Sequence, residues 1–197
     1  VGILLSKKLN MKFVDMDEYI ESVENKSIIE MFEISEEYFR NAESKCAKIL
    51  SRESSLIIAA GGGIIKRKEN IIYLKQNSII IFLNRPPEKI MEDININTRP
   101  LLMEGKNKLY KLYQERLHLY KKYCDLEVLN DKTLDDAANE IKTVIQLFPC
   151  LLSYHFKFLQ DFLRRRRSYF RYRENEYAGY YKCRKKFVYS EKSAHWL

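Results

Sequence analysis

Apolar residues along the first three quarters of the chain fall into two kinds of pattern. Short continuous apolar runs predict strands, and segments in which apolar residues recur every three or four positions predict helices. The predicted strands cover residues 12–14, 55–60, 79–83 and 126–129. The predicted helices cover residues 3–9, 35–50, 69–76, 108–123 and 133–147, with shorter ones after Ser27 and Pro86. Strands that alternate with helices favour parallel pairing, so the pattern predicts an α/β layer fold.

The last 49 residues break this alternation and hold the whole basic excess of the chain. From residue 149 onward, 12 Lys and Arg residues stand against 4 Asp and Glu residues, whereas residues 1–148 hold 23 of each sign. We therefore divide the chain into a domain, 1–147, and a basic Tyr- and Arg-rich extension, 148–197, that is irregular or helical. The run Arg164–Arg167 with interleaved tyrosines could bind nucleic acid or an anionic membrane. The alternatives are a solvated helix with a disordered end, or a segment foreign to the domain.

Length and composition favour a soluble folded protein over a membrane-spanning or zinc-binding one. The chain has 197 residues, 46% of them hydrophobic and 31% charged, which is typical of one folded soluble domain. No apolar stretch approaches the roughly 18 residues that a membrane-spanning helix needs. The four cysteines form no C-x-x-C pair, which argues against a zinc site and favours a reducing compartment. We expect a cytoplasmic protein, since no basic-then-apolar leader is present.

Two groups of residues follow predicted strands, where ligands bind in open parallel sheets. Asp15 and Asp17 come after the first strand; on a strand their side chains would point to opposite sides and could serve a hydrated Mg²⁺ and a hydroxyl. The alternative is that they cap a helix. Gly61, Gly62 and Gly63 follow the second strand, and three glycines let a backbone approach a ligand closely. The alternative for them is a tight turn.

Three arginines are candidates for binding anions. Arg40 and Glu43 share one face of a predicted helix, so Glu43 could hold the guanidinium for a bidentate contact with a carboxylate. Arg116 could be a second such group on a later helix. Arg99 lies in a polar segment, 95–107, that we interpret as a loop able to close over a nucleotide. The alternative for each is an ordinary solvated charge or surface ion pair.

In their order along the chain, DMD, FRNAE, GGG, NTRPLL and RLHLY resemble the motifs of shikimate kinases, over residues 1 to about 147. The resemblance implies a three-layer P-loop kinase fold. It also implies transfer of the γ-phosphate of ATP, with Mg²⁺, to the 3-hydroxyl of shikimate, a step toward the aromatic amino acids. Shikimate and ATP would be the partners of a monomeric protein that binds no membrane.

The resemblance also implies individual roles. Asp17 would hold the shikimate hydroxyls and orient or deprotonate the attacking one, and Asp15 would bind Mg²⁺ through water. Arg99 would lie over the ATP phosphates. The acceptor site would consist of Arg40 and Arg116 at the carboxylate, the Gly61–Gly63 backbone at the ring, and Phe32 and Phe39 as an apolar wall beneath it.

The sequence departs from the family pattern at several places. His118 stands where proline is common, and the basic residue that stacks near adenine is at best Lys132. No G-x-x-x-x-G-K-[ST] loop is present, and Val1–Leu5 resembles the helix that follows that loop. We therefore expect a chain that starts after the phosphate loop and lacks the central strand, with an open gap in the sheet. We also expect such a chain to be molten or aggregation-prone and to lack measurable kinase activity.

Two other function classes remain open at this stage. One is another small P-loop kinase, with a polyol or nucleotide as acceptor. The other is a non-catalytic protein whose basic tail binds nucleic acid, although the neutral first three quarters make that partner unlikely. Two arginines available for one carboxylate favour a carboxylated acceptor such as shikimate.

Overall fold

The structure, a computed structural model, describes residues 1–93, 105–147 and 186–192. Its strands are β1 (Lys12–Asp15), β2 (Leu56–Gly61), β3 (Ile79–Asn84), β4 (Leu126–Leu129) and β5 (Lys186–Lys192). Its helices are α1 (Gly2–Leu9), α2 (Met16–Glu24), α3 (Ile28–Ile34), α4 (Glu36–Leu50), α5 (Lys68–Lys75), α6 (Pro87–Asp93), α7 (Gly105–Tyr123) and α8 (Leu134–Leu147). A short 3₁₀ turn, Ile64–Lys66, follows β2. The predicted strands and helices of residues 1–147 are confirmed to within a few residues at their ends.

Helix ends follow the local sequence. Ser27 and Glu30 form a reciprocal capping box at the start of α3, as their spacing predicts. The Ser35 hydroxyl accepts a hydrogen bond from the Tyr38 amide and begins α4. Asn10 ends α1 in the left-handed conformation, with φ of 52°. These caps set where α3 and α4 begin, and hence which faces of α3 and α4 turn toward the sheet.

The five strands form one parallel sheet in the order β1-β2-β5-β3-β4. Helices cover both faces, so the α/β three-layer architecture is confirmed. On one face, residues of α2 to α5 and α7 pack around Ile58, Ala60 and Phe82. On the other face, α1 and α8 pack around Ile57, Ala59 and Ile81. Every residue of β2 is buried, which agrees with its continuous apolar sequence.

The expected gap at the centre of the sheet is wrong, because β5 lies there. Val188 is in register with Ile58 of β2 on one side and with Ile80 of β3 on the other. Within the described residues, β2 and β3 make no ladder with each other. Their buried N–H and C=O groups need partners, and a short β-prone run such as Phe187–Tyr189 can supply them. The prediction that the extension 148–197 is irregular or helical is therefore wrong for residues 186–192, which form a strand.

Candidate functional site

The first candidate residues lie where β1 passes into α2. β1 ends at Asp15, whose Oδ1 accepts a hydrogen bond of 3.0 Å from the Asp17 amide and caps α2. Asp17 is therefore in the first turn of a helix rather than on a strand, and the predicted strand alternation of the two carboxylates is wrong. Its side chain is 8% exposed and faces Gly61, where an added Cβ would lie 3.4 Å from Asp17 Oδ1. The sequence thus places a buried carboxylate beside the glycine turn.

Arg40 occupies the centre of a charged network on α4. Its Nη1 donates to Glu43 Oε2 at 3.0 Å and its Nε donates to Glu36 Oε1 at 3.2 Å. Arg40 and Glu43 are 8% and 3% exposed, so this is a buried pair and not the surface pair that was the alternative. Burial raises the pKa of Glu43, while the charge and hydrogen bond of Arg40 oppose that rise. Arg40 is thus fixed in orientation by two carboxylates.

Two aromatic rings lie beneath this guanidinium. Phe32 and Phe39 stack with ring centroids 4.7 Å apart. Arg40 Cζ lies 5.0 Å from the Phe39 centroid and 6.0 Å from the Phe32 centroid, which is within the range of a cation–π contact. The aromatic pair therefore supports Arg40 as well as forming an apolar wall.

The third glycine of the turn makes room for Arg40. Gly63 has an ordinary φ of −82°, so its backbone conformation does not require glycine. A Cβ at Gly63 would clash with Arg40 Nη1 and lie 2.9 Å from Arg40 Nη2. Glycine is needed at this position because the guanidinium occupies the space of a side chain.

Lys66, which was not predicted as a site residue, lies with Glu36 at the exposed rim of this charged network. Lys66 Nζ donates to Glu36 Oε1 at 2.6 Å, which joins the 3₁₀ turn to α4. This hydrogen bond is the largest cause of the lowered pKa of Glu36. The spacing of Glu36 and Arg40, four residues apart on a helix, could have indicated their pairing. No local pattern indicates Lys66, which is 30 residues from Glu36.

The helix α7 contributes from the other side of the turn. Arg116 is half-buried and faces the same space as Arg40. One turn later, the buried Tyr120 hydroxyl donates to the Gly62 carbonyl at 2.8 Å. Tyr120 is the last residue of RLHLY, and nothing in that motif indicates its contact with Gly62.

These side chains enclose one cavity of about 150 Å³. Its lining comprises Asp17, Phe32, Glu36, Phe39, Arg40, Glu43, Gly61, Gly63, Lys66 and Arg116. The predicted acceptor-site residues are thus brought together, except that Gly62 is absent from this lining. Asp15 is absent from the lining too and acts as a helix cap. The cavity offers cations for an anionic group and a buried carboxylate for a hydroxyl.

Two predicted residues lie elsewhere. Arg99 falls outside the described residues, with most of the basic extension. Lys132 is exposed in the segment between β4 and α8 and is not part of the cavity lining. In the part of the chain that the structure describes, no helix is long and apolar enough to cross a membrane. In the same part, no group of three His, Cys, Asp or Glu side chains is arranged to hold a metal ion.

Comparison with known proteins decides the family. The sequence profile of the shikimate kinase family matches residues 1–146. The shikimate kinase of Clostridium beijerinckii is 48% identical over 145 residues, which are 74% of this chain and 86% of that protein. The chain belongs to the shikimate kinase family. This kinase is accordingly a phosphotransferase, as the motifs predicted.

Solved structures agree with this assignment. The shikimate kinase of Acinetobacter baumannii, solved in complex with shikimate, superposes with a TM-score of 0.66 and 27% identity, covering 78% of this chain and 87% of that one. The Aquifex aeolicus shikimate kinase superposes with a TM-score of 0.63 and 31% identity, covering 78% and 90%. The P-loop kinase architecture of this kinase is thereby confirmed.

Proposed function

We propose that this kinase transfers the γ-phosphoryl group of ATP to the 3-hydroxyl of shikimate, a step toward the aromatic amino acids. The observation that carries the proposal is the single cavity in which Arg40, Arg116 and the buried Asp17 carboxylate meet. The Acinetobacter relative, solved in complex with shikimate, supports the choice of acceptor. A polyol without a carboxylate would offer no anionic group of its own to Arg40 and Arg116, which both line the cavity.

Arg40 and Arg116 are proposed to bind the acceptor carboxylate. Guanidinium groups match the planar geometry of a carboxylate, and the hydrogen bonds are charge-assisted. Glu43 and Glu36 hold Arg40 in orientation before the acceptor arrives, which reduces the entropy lost on binding. Phe32, Phe39 and the glycine turn would bound the ring of the acceptor.

Asp17 is proposed to act on the attacking hydroxyl. A buried carboxylate can accept the hydrogen bond of that hydroxyl and orient its oxygen toward the γ-phosphorus. It can take the proton as the new P–O bond forms and the bond from the γ-phosphorus to the bridging oxygen breaks, with ADP as the leaving group. In phosphoryl transfer most of the acceleration comes from such positioning and from electrostatic stabilisation. The first turn of α2 fixes Asp17 against Gly61, which gives the carboxylate one orientation.

Asp15 is proposed to hold Mg²⁺ through a bound water. Its carboxylate fits, since Mg²⁺ prefers oxygen ligands and keeps several of its waters. When bound, the ion neutralises charge on the ATP phosphates. Arg99 is proposed to lie over the same phosphates. The sequence contains no G-x-x-x-x-G-K-[ST] motif.

Replacement of Arg116 tests the acceptor. In Arg116→Ala, shikimate should bind about tenfold to a hundredfold more weakly, because a charge-assisted contact contributes roughly 1.5–3 kcal/mol. Affinity for ATP should stay as in the wild type. Lys111→Ala removes an exposed positive charge from the same helix and is the matched control. The assignment fails if Arg116→Ala loses affinity for ATP and keeps it for shikimate.

Replacement of Asp17 tests the chemical step. Asp17→Asn keeps the size of the side chain and should lower kcat much more than it weakens binding of shikimate. Steady-state assays with shikimate, gluconate and a nucleoside monophosphate as acceptors complete the test. Phosphorylation of either alternative acceptor, with none of shikimate, would contradict the proposed function.

We also propose that the enzyme is a cytoplasmic monomer, with residues 1–147 as the kinase-like domain and 148–197 as an extension that contributes β5 to the sheet of that domain. In the described part of the chain, Cys46 and Cys124 are free thiols, which suits a reducing compartment. Sedimentation velocity checks the oligomeric state, and a dimer would contradict that part of the proposal.

A further inference from the structure

Tyr120 follows Arg116 by one turn of α7, and its hydroxyl contacts the glycine turn that packs beside Arg40. Its side chain is only 7% exposed, and its ring stacks on Phe82 of β3 with centroids 4.9 Å apart and planes 15° apart. The hydroxyl donates to the Gly62 carbonyl at 2.8 Å. The ring packing therefore holds the hydroxyl in one place, and the hydrogen bond joins α7 to the glycine turn.

The same hydroxyl interacts with Arg116. The two residues are four apart on α7, so they lie on one face of the helix. Burial raises the pKa of Tyr120, and the charge of Arg116 together with a hydrogen bond from its side chain opposes that rise. A hydroxyl can donate one hydrogen bond and accept another. Tyr120 thus donates to the turn, and its oxygen can still accept a hydrogen bond from the arginine four residues before it.

The orientation of the Gly62 peptide affects the positions of both neighbouring glycines. Gly61 and Gly63, on either side of Gly62, line the cavity, and Gly63 lies against Arg40. A rotation of the Gly62 peptide would move both neighbours, and Gly63 has no spare room beside the Arg40 guanidinium. The position of the turn therefore bears on Arg40, and Tyr120 holds the turn.

We infer that Tyr120 is a positioning residue that sets Arg116 and, through the glycine turn, Arg40 in one arrangement for binding the acceptor carboxylate. The inference rests on the proposed function of the cavity. It assigns Tyr120 no contact with the acceptor, because Tyr120 is not part of the cavity lining. Its hydroxyl acts through two residues that are.

The experiment compares Tyr120→Phe with Tyr113→Phe in the full-length enzyme. Both tyrosines are on α7, and each donates one side-chain hydrogen bond of 2.8 Å, Tyr113 to Asn84 Oδ1 away from the cavity. Tyr120→Phe keeps the ring that packs on Phe82. We expect it to raise KM for shikimate about tenfold, the size of one lost buried hydrogen bond with its carbonyl left unpaired. We expect kcat and KM for ATP to change less than threefold, and Tyr113→Phe to match the wild type.

A double-mutant cycle separates positioning from a general loss of stability. If Tyr120 acts through Arg116, Tyr120→Phe should weaken shikimate binding far less in an Arg116→Lys background than in the wild type. Equal effects in the two backgrounds, or a KM for Tyr120→Phe equal to that of Tyr113→Phe, would overturn the inference. Calorimetric titration with shikimate repeats the cycle without turnover. A wild-type enzyme that leaves shikimate unphosphorylated would instead reject the proposed function.

Discussion

The two halves of the sheet contribute to the cavity in different ways. The half formed by β1 and β2 supplies Asp17 and a charged network in which Arg40 is held by Glu43 and Glu36. The half formed by β3 and β4 supplies a single helix, α7, whose Arg116 is half-buried. In the first half, Arg40 is held in orientation by carboxylates of the protein before any ligand binds. The second half contributes Arg116 to the cavity and the Tyr120 hydrogen bond to the glycine turn. Orientation of the acceptor is therefore built mainly into the first half.

The two halves of the sheet are joined by a strand that is distant from both of them in the sequence. β5 pairs with β2 and with β3, and it comes from the far end of the chain. We call the boundary between the two halves, where β5 lies, the seam. Near this seam, the Tyr120 hydrogen bond to Gly62 is one further link between α7 and the turn after β2.

The largest effect is expected from breaking the seam. Val188→Pro removes a backbone donor in the middle of the central strand, where proline is not tolerated, and should remove most of the stability of the domain, about 5 kcal/mol or more. Val188→Ala keeps the backbone donor and is the control. Thermal unfolding followed by circular dichroism measures both. Equal midpoints for the two variants would show that β5 does not hold the halves together.

The next effect separates the two arginines. Arg40→Met leaves the buried Glu43 carboxylate without its partner and should destabilise the enzyme by about 3–5 kcal/mol. Arg116→Met, at a half-buried position, should cost under about 1 kcal/mol. Denaturant unfolding of both variants at pH 7 gives the comparison. Equal losses would contradict the contrast between the halves.

The loss of stability in Arg40→Met should also depend on pH. Burial raises the pKa of Glu43 above its ordinary value of 4.5, and loss of Arg40 removes the group that opposes the rise. An acid whose pKa is raised by folding binds more protons in the folded state, so stability is lost as pH increases. The stability deficit of Arg40→Met should therefore shrink as the pH is lowered from 7 toward 4.5. A deficit that grows on acidification would contradict this account of Glu43.

A smaller effect tests the close approach at Gly63. Gly63→Ala forces the Arg40 guanidinium aside and should weaken shikimate binding about tenfold, by loss of a well-oriented charge-assisted contact. Gly61→Ala introduces a Cβ at an ordinary 3.4 Å from Asp17 and should have a smaller effect. Calorimetric titration with shikimate measures both. A larger effect for Gly61→Ala would show that space beside Arg40 is not the reason for glycine at position 63.

The smallest effect concerns the rim of the first half. Glu36 is exposed, and the hydrogen bond from Lys66 lowers its pKa below 4.5. Its stabilising contribution, at most about 1 kcal/mol for an exposed pair, is present above pH 4.5 and lost as the pH falls through the lowered pKa. The difference in unfolding midpoint between wild type and Glu36→Gln should disappear in that range. Glu33→Gln, which changes an exposed residue on α3, is the control.

Features with a local cause could be predicted from the sequence. The capping box of Ser27 and Glu30 and the buried run of β2 depend on neighbouring residues, so spacing and composition were sufficient. Arg40 and Glu43 share a helix face for the same reason. The resemblance to shikimate kinases, and not the local spacing, indicated which side chains meet in the cavity.

Features that depend on distant contacts could not be predicted in this way. Gly62 and Tyr120 are 58 residues apart, and Lys66 is 30 residues from Glu36. Nothing in either local sequence specifies the partner. The position of β5 could not be predicted either, because its place depends on pairing with the edges of β2 and β3, which are more than 100 residues away in the sequence.

The location of β5 in the sequence has a consequence for biosynthesis. Ribosomes add about 5–20 residues per second. β4 ends at Leu129 and β5 begins at Lys186, so the four earlier strands are made roughly 3 to 11 seconds before the strand that completes their sheet. Throughout that interval the edges of β2 and β3 are open to pairing with other nascent chains. Cellular yield of this kinase should therefore depend on translation speed across residues 130–185 and on chaperones that cover exposed strand edges.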